Sequence, residues 1–507
     1  MFDYRSVLSF MKKNITFKDV LLLALIIVIF LATRLINLEK WPQFSDEGIY
    51  IRWAKVAWRD ASWRFISVTD GRQPLQTWAT IPFLKIFWPN ALLAGRMFSV
   101  STGFAALCGT FTLLYYLWGK KAAFMGAFIY LFMPYFVFYD RIALVDSAVN
   151  AGFVWIMFFS IWLARERRLD TALLFGLAGG ITLLAKSSAR LFLAVAATAP
   201  ILFMSKKLTD TIQKSINYYF LFSISLALSL LFYNVQRLSP FFQYVSQKNN
   251  TFVMTASEFM ASPFEVFPHN IKILPQYIAW EAGFVIIIFS ILGLIRLYKN
   301  DRNLFFYFML FFLIPFFVIA FMAKVVFPRY LIFNASLLLI TAVYFFNEYK
   351  KKYTYYLLAF LVVTMMLFDY PFLFNPAKAS FPPVDRGQYV EGVTAVWGAE
   401  KLMDLMREKS QIKPVLILAE GNFGLVGDVL DVYLRDGDRI EIRGLWPLDE
   451  KHLIDSQKDL NDGKDVYIVF SHRKEFSDSW PMELVEKYTK PTSTEALYLF
   501  KLKSVTR

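Results

Sequence analysis

Apolar runs of about 20 residues recur along this chain, and that is the length a helix needs to cross the hydrocarbon core of a bilayer. They occupy 19–38, 92–118, 122–139, 146–163, 171–186, 190–205, 216–235, 280–297, 304–322, 330–346 and 354–373. The pattern predicts about eleven spans, several of them short. Basic clusters break it at Lys12/Lys13/Lys18, Lys120/Lys121, Arg165/Arg167/Arg168, Lys206/Lys207, Arg296/Lys299/Arg302 and Lys350/Lys351/Lys352, all on one side of that layout. By the positive-inside rule that side is the cytoplasm; an odd number of spans then places the N-terminus inside and the C-terminus outside. The lysines ahead of the first run give it the look of a secretory signal. No small-residue cleavage site follows and the apolar run continues to Leu38, so it reads as an uncleaved first span.

Three longer segments lie outside the runs. Residues 39–91 form a first external loop, rich in Trp and charge, with amphipathic stretches at Glu47–Trp58 and Leu75–Phe87 of the kind that lie flat at a membrane interface. Residues 236–279 form a second, with turns marked by Pro240, Pro263, Pro268 and Pro275. Beyond about 375, where Pro376, Pro382 and Pro383 mark a linker, hydropathy falls and the period changes. Strand-like runs at Val415–Ala419, Ile440–Arg443, Val466–Phe470 and Leu497–Leu502 alternate with helical patterns at Thr394–Lys409, Leu425–Leu434 and Lys451–Leu460. The chain thus divides into a membrane domain, residues 1–374, and a small soluble α/β domain outside the membrane, residues 375–507. The tail carries no nucleotide-binding glycine fingerprint; Glu420–Gly424 matches nothing well. No low-complexity segment or short-period repeat is visible.

Composition agrees with the spans: 57% of the 507 residues are hydrophobic. The net charge of +14 sits in the membrane half, the tail being slightly acidic. A basic membrane half suits anionic headgroups and an anionic substrate. No basic stripe stands apart from the spans, which argues against nucleic acid as a partner. The single cysteine, Cys108, forms no intrachain disulfide, and His269, His452 and His472 are too scattered for a metal motif.

The candidate chemistry gathers in the external segments. Asp46 and Glu47 follow the first span, where a carboxylate at an apolar boundary can keep the pKa of a useful base. Taken alone, the dipeptide fits a solvated helix start better. Arg72 sits in a Gly/Pro-framed turn, Asp70–Gly71–Arg72–Gln73–Pro74, and guanidinium groups hold phosphate oxygens in a fork. An interfacial arginine reaching for headgroups is the ordinary alternative. Arg141 and Asp146 flank the turn between the third and fourth spans, either as a buried orienting pair or with Asp146 as an N-cap. Lys186, Lys324, Arg329 and Tyr330 fall in further external turns. The shared side of these cations suits an anionic phosphate better than independent anchoring does. His269, beside Pro268, is a candidate for shaping an acceptor site.

Taken in order, these segments resemble the polytopic GT-C glycosyltransferases, in particular the branch with the protein O-mannosyltransferases and the lipid A aminoarabinose transferase. That family often has Asp-Glu in the first external loop, matched by Asp46–Glu47, and Gly-Lys-Pro-Pro-Leu before an interfacial helix, here Gly71–Arg72–Gln73–Pro74–Leu75 with Arg for Lys and Gln for one Pro. Arg141 and Asp146, Lys186, and Arg329–Tyr330 with Lys324 upstream match further members' positions, over roughly residues 19–370. The resemblance implies an α-helical GT-C membrane domain. It implies inverting transfer of a sugar from a polyprenyl-phosphate donor, undecaprenyl or dolichyl, to a protein, lipid or glycan acceptor outside the cytoplasm. Asp46 would be the general base, with Glu47 orienting it or helping to bind a metal. Arg72, Lys186, Lys324 and Arg329 would meet the charge growing on the departing phosphate, with Tyr330 beside them, and Arg141, Asp146 and His269 would shape the site. Metal use varies within the fold class, so a divalent metal stays open and no cofactor is certain. A transporter or flippase of lipid-linked sugars is the competing reading, although such proteins usually carry internal repeats and midplane charges. An oligosaccharide ligase is another, nearer in chemistry. A protein that merely displays its tail would not need Asp46, Arg72 or Arg329.

Overall fold

The computed structural model describes residues 16–204, 208–349, 353–421, 423–491 and 493–504. Lys12, Lys13, Lys206, Lys207 and Lys350–Lys352 of the expected cytoplasmic clusters lie outside the described residues.

The helices used below are α1 (Phe17–Leu35), α2 (Ser45–Arg59), α3 (Leu75–Phe87), α4 (Ala91–Phe132), α5 (Asp146–Glu166), α6 (Leu169–Ala185), α7 (Leu208–Asn234), α8 (Phe267–Ala282), α9 (Val285–Asn300), α10 (Arg302–Met322), α11 (Ile332–Glu348), α12 (Thr354–Phe374), α13 (Ala399–Ile412) and α14 (Val426–Val432). Among the described residues seven helical segments are long and apolar enough to cross a membrane, and eight if α8 and α9, bent by 104° at Gly283–Phe284, form one span. The other expected spans are present as shorter apolar helices, α6 and Ala189–Phe203. The expected span 92–118 and most of 122–139 belong to one 42-residue element, α4, broken at Gly119, and Pro134–Tyr139 follows as a separate short helix. Gly119 has φ +82°, a backbone shape that disfavours any side chain. Beside that break Lys120 pairs with Asp19 in the first turn of α1 at 2.7 Å, so both ends lie on one side, as the charge pattern requires.

α4, α5 and α11 make the centre of the bundle, and α11 is buried along nearly its whole length. A buried charge network ties the centre to α1. Arg34 pairs with Asp140 at 3.2 Å, both with no exposed surface, and Ser147 Oγ donates to Asp140 at 2.7 Å. A Cβ at Gly103 would lie 2.3 Å from the Asp140 carboxyl, so the glycine makes room for it. This network pins the turn between Tyr139 and Asp146.

The tail folds on a five-stranded sheet in the order β4-β3-β5-β7-β6, with β3 (Val415–Glu420), β4 (Ile440–Leu445), β5 (Asp465–Phe470), β6 (Met482–Thr489) and β7 (Ala496–Leu502). β3 runs parallel to β4 and β5, and β7 runs antiparallel to β5 and β6. Every expected tail strand is present. β6 is added at an edge, where five of its eight residues are exposed in a row and leave little apolar alternation to read. The prolines expected to mark a linker instead open a packed segment. Phe381, Tyr389 and Val390 join the membrane core, and β1 (Gln43–Phe44) pairs with β2 (Ala395–Val396). The tail also grips α2 directly: Arg52 pairs with Asp428 at 2.6 Å and Lys55 with Asp431 at 3.1 Å. Gly48 lets the backbones meet, since a Cβ there would sit 3.0 Å from Val429 N.

Removing one partner of a buried ion pair leaves an uncompensated charge. Asp140→Ala is expected to destabilise the fold by about 3–5 kcal/mol, read as a lowered unfolding midpoint in detergent. An unchanged midpoint would refute a structural role for the Arg34–Asp140 pair.

Candidate active site

α2 starts where β1 ends, and its first turn carries Asp46 and Glu47. Consecutive residues of a helix point about 100° apart. Here that angle sends the two carboxylates to different surroundings. Glu47 turns inward and has no exposed surface. Arg96 of α4 grips it with two hydrogen bonds, Nε to Oε1 and Nη2 to Oε2, each 2.9 Å. The backbone N–H groups of Ala143 and Phe44 add bonds of 2.7 and 3.0 Å. All of its strong acceptor directions are thereby used.

Asp46 keeps 20% of its side chain exposed and meets two guanidinium groups. Arg329 Nη2 donates to Asp46 Oδ2 at 3.3 Å, and Arg72 Nη1 stands 3.8 Å from the same oxygen. Arg329 is held from behind, its Nη1 donating to Gln388 Oε1 at 2.9 Å and to the Tyr389 hydroxyl at 3.1 Å. Arg72 donates to the Tyr50 hydroxyl at 2.8 Å and to Asp70 at 3.0 Å, and Lys248 pairs with Asp70 at 2.8 Å. Burial works against the charge of Arg72, but Tyr50, Asp46 and Asp70 outweigh it and hold the guanidinium above its ordinary pKa. Burial likewise pushes the Tyr50 hydroxyl up, against the pull of Arg72.

A second group adjoins the first. Lys186 pairs with Asp146 at 2.9 Å and lies over the Tyr330 ring, 4.3 Å from its centre. Tyr330 in turn flanks Arg329, whose guanidinium carbon is 5.7 Å from that ring centre. The two turns are also bridged by Gln73, which donates to Ser187 at 2.9 Å. Together Arg72, Lys186, Lys248 and Arg329 face Asp46, Asp70 and Asp146, four cations against three carboxylates, a surplus of one positive charge.

The structure therefore brings together Asp46, Arg72, Asp146, Lys186, Arg329 and Tyr330. Four expectations change. Arg141 does not pair with Asp146. It reaches the carbonyls of Thr33 at 2.9 Å and Asn37 at 3.1 Å, closing the C-terminal end of α1, where unpaired carbonyls attract a cation. Lys324 turns to the segment between α7 and α8, pairing with Glu258 at 2.8 Å, because its backbone N–H donates to the Phe252 carbonyl. His269 is exposed in the first turn of α8, and among the described residues no hydrogen bond joins it to the Asp46 group. Finally, the Asp46–Glu47 pair does not fit a metal: Glu47 is committed to Arg96, and Asp46 faces guanidinium groups. Among the described residues no three His, Cys, Asp or Glu side chains converge on a possible ion. A cavity of about 660 Å³ lies elsewhere, at the C-terminal end of α1, lined by Leu35, Asn37, Leu38, Glu39, Phe87 and Met97 among others.

Arg96, Tyr50, Gln388 and Tyr389 are not among the residues the sequence marks as candidates. Arg96 had a signal, a lone charge in an apolar run. Gln388 and Tyr389 had none.

No protein-family model matches the chain, and no curated protein matches it in sequence. Solved structures do match in fold. ArnT from Cupriavidus metallidurans bound to undecaprenyl phosphate aligns with a TM-score of 0.59 at 12% identity, covering 95% of this chain and 97% of that one. The archaeal oligosaccharyltransferase AglB from Archaeoglobus fulgidus, in complex with an inhibitory peptide and a dolichol-phosphate, aligns with a TM-score of 0.52 at 10% identity, covering 91% of this chain and 70% of that one. Both have the GT-C fold, and this chain shares it as a multi-pass membrane protein.

The two neighbouring carboxylates should respond differently to substitution. Glu47→Ala strands Arg96 in the interior and is expected to cost about 3–5 kcal/mol of stability. Asp46→Asn weakens only a partly exposed pair and is expected to cost about 1 kcal/mol or less. Unfolding midpoints in detergent would check this, and similar losses for the two would contradict the division.

Proposed function

We propose that this chain is a membrane glycosyltransferase that takes a sugar from a polyprenyl-phosphate donor and passes it, with inversion, to an acceptor outside the cytoplasm. The observation that carries the reading is Asp46, a partly exposed carboxylate clasped by Arg329 and Arg72 at a cluster with surplus positive charge, in the fold of a protein that binds undecaprenyl phosphate. Asp46 removes the proton from the attacking acceptor atom. That atom bonds to the anomeric carbon as the bond from this carbon to the phosphate oxygen breaks, and the electron pair leaves with the phosphate. Arg329, Arg72 and Lys186 meet the charge that grows there, so a proton donor to the leaving group is not needed. A bound phosphate also competes with Asp46 for the guanidinium groups and releases the carboxylate to act as base. Tyr330 packs between Lys186 and Arg329 and fixes their spacing. Glu47 positions α2 and takes no part in the chemistry. Lys324 and His269 fall outside the reacting group. The charge pattern supports a cytoplasmic N-terminus and a tail on the acceptor side.

The AglB likeness favours one second reading, transfer of an oligosaccharide. Comparing monosaccharide with oligosaccharide donors separates the two.

Reconstituted protein should turn over a polyprenyl-phosphate sugar, and folded Asp46→Asn should lose about 10²–10⁴ of that rate. Arg329→Ala or Arg72→Ala should lose about 10²–10³, and Lys324→Ala less than about tenfold. Equal turnover by wild type and Asp46→Asn, measured with radiolabelled donor, would remove Asp46 as base. Wild type that moves a donor across the vesicle without transferring the sugar would establish the transporter instead.

A further inference from the structure

Glu281 and Asp385 form a second pair of carboxyl groups, deep in the fold and unused by the chemistry above. Glu281 lies in the last turn of α8, next to the 104° bend, and is 2% exposed. Asp385 lies in the short helix Pro383–Arg386 and has no exposed surface. The two carboxyl groups lie close enough to interact with each other. As carboxylates, both oxygens of Glu281 and Oδ1 of Asp385 would lack any donor. Two carboxylates also repel, and among the described residues neither is ion-paired with a cation that would offset its burial. Two buried neighbouring carboxyl groups with unpartnered oxygens are relieved by one proton held between them.

We infer that Glu281 and Asp385 hold one proton between them and act together as positioning residues for Arg329; the inference rests on the transferase reading above. The connection is short. Asp385 accepts from the Tyr139 hydroxyl, which fixes the start of the segment 383–391 against the membrane core. Three and four residues on, Gln388 and Tyr389 hold Arg329, and Arg329 holds Asp46. The carboxyl pair thus ties α8 to the segment that backs the candidate site. The titratable groups around it are Tyr135, Tyr139, Tyr277, Tyr389, Asp146 and Arg329. Arg329 is the one cation among them, and it serves Asp46.

Burial pushes the Asp385 carboxyl up to about 7, against the lowering from Tyr139, Arg329 and Glu281. The sign for stability follows: a carboxyl raised above its unfolded value of about 4 stabilises the fold fully below pH 4, and that contribution is lost as pH rises to 7. Above that pH one proton remains between the two groups. When it also leaves, two buried negative charges face each other and the support of Arg329 fails.

Glu281→Gln is the informative variant, because an amide N–H donates to the Asp385 carboxylate as the shared proton does but does not titrate. Wild type is expected to lose kcat on the alkaline side by about tenfold per pH unit once the shared proton leaves, with KM for the donor changing less. Glu281→Gln should keep kcat near neutrality and lack that alkaline loss. Glu281→Leu, without the donor, should lose kcat about tenfold or more at every pH. Retention of the wild-type alkaline limb in Glu281→Gln would overturn the inference. Infrared difference spectra of wild type against Glu281→Gln at pH 8 give a test independent of turnover. A protonated-carboxyl band present only in wild type supports the shared proton, and identical spectra refute it. If no donor is turned over, the transferase reading fails while the spectra still decide the pair.

Discussion

A carboxylate with no exposed surface persists in a protein interior only if its charge is met and its lone pairs are filled. Glu47 meets this demand through Arg96, with two parallel bonds of 2.9 Å, and through the N–H groups of Phe44 and Ala143. Those four bonds join the start of α2, the N-terminal part of α4 and the turn before α5. The same fixture aims Asp46. With Glu47 locked inward, the residue before it is forced outward by helix geometry alone. Two adjacent acidic residues therefore divide into one that holds the frame and one that faces the cluster.

The tail belongs to this frame. α2 is held at its start by the β1–β2 pairing and along its length by Asp428 and Asp431. The segment from Pro383 to Tyr389 backs Arg329 from within the membrane core. A soluble domain that merely hung from the last span would make none of these contacts. The segment between α1 and α4 is thus clamped between the bundle and the tail, which on the proposed reading holds the base at a fixed place relative to a phosphate.

The charges around Asp46 are nearly balanced, with Arg72 and Arg329 shared among Asp46, Asp70 and the neutral groups behind them. A phosphate brings negative charge to the same guanidinium groups and displaces the weakest partner, the one held at 3.3 and 3.8 Å. On the proposed transferase reading, release of Asp46 then depends on donor binding, which couples the base to the presence of its substrate.

Much of this was legible in the sequence. Span lengths and basic clusters follow from the bilayer, which demands apolar length and sorts charge regardless of tertiary contacts. The alternating tail follows from the periods of strand and helix. Asp46, Arg72, Lys186 and Arg329 were legible because charge beside an apolar run is costly and rarely accidental. What the sequence could not decide was who meets whom. Arg141 looked like the partner of Asp146, five residues away, yet the carbonyls at the end of α1 lay within its reach and Lys186 took Asp146. Lys324 looked like part of the cluster until its backbone was tied to Phe252. The partner of a charge is set by where three-dimensional packing places a complementary group, and Arg96 or Tyr389, 49 and 60 residues from the groups they hold, carry no local mark of it.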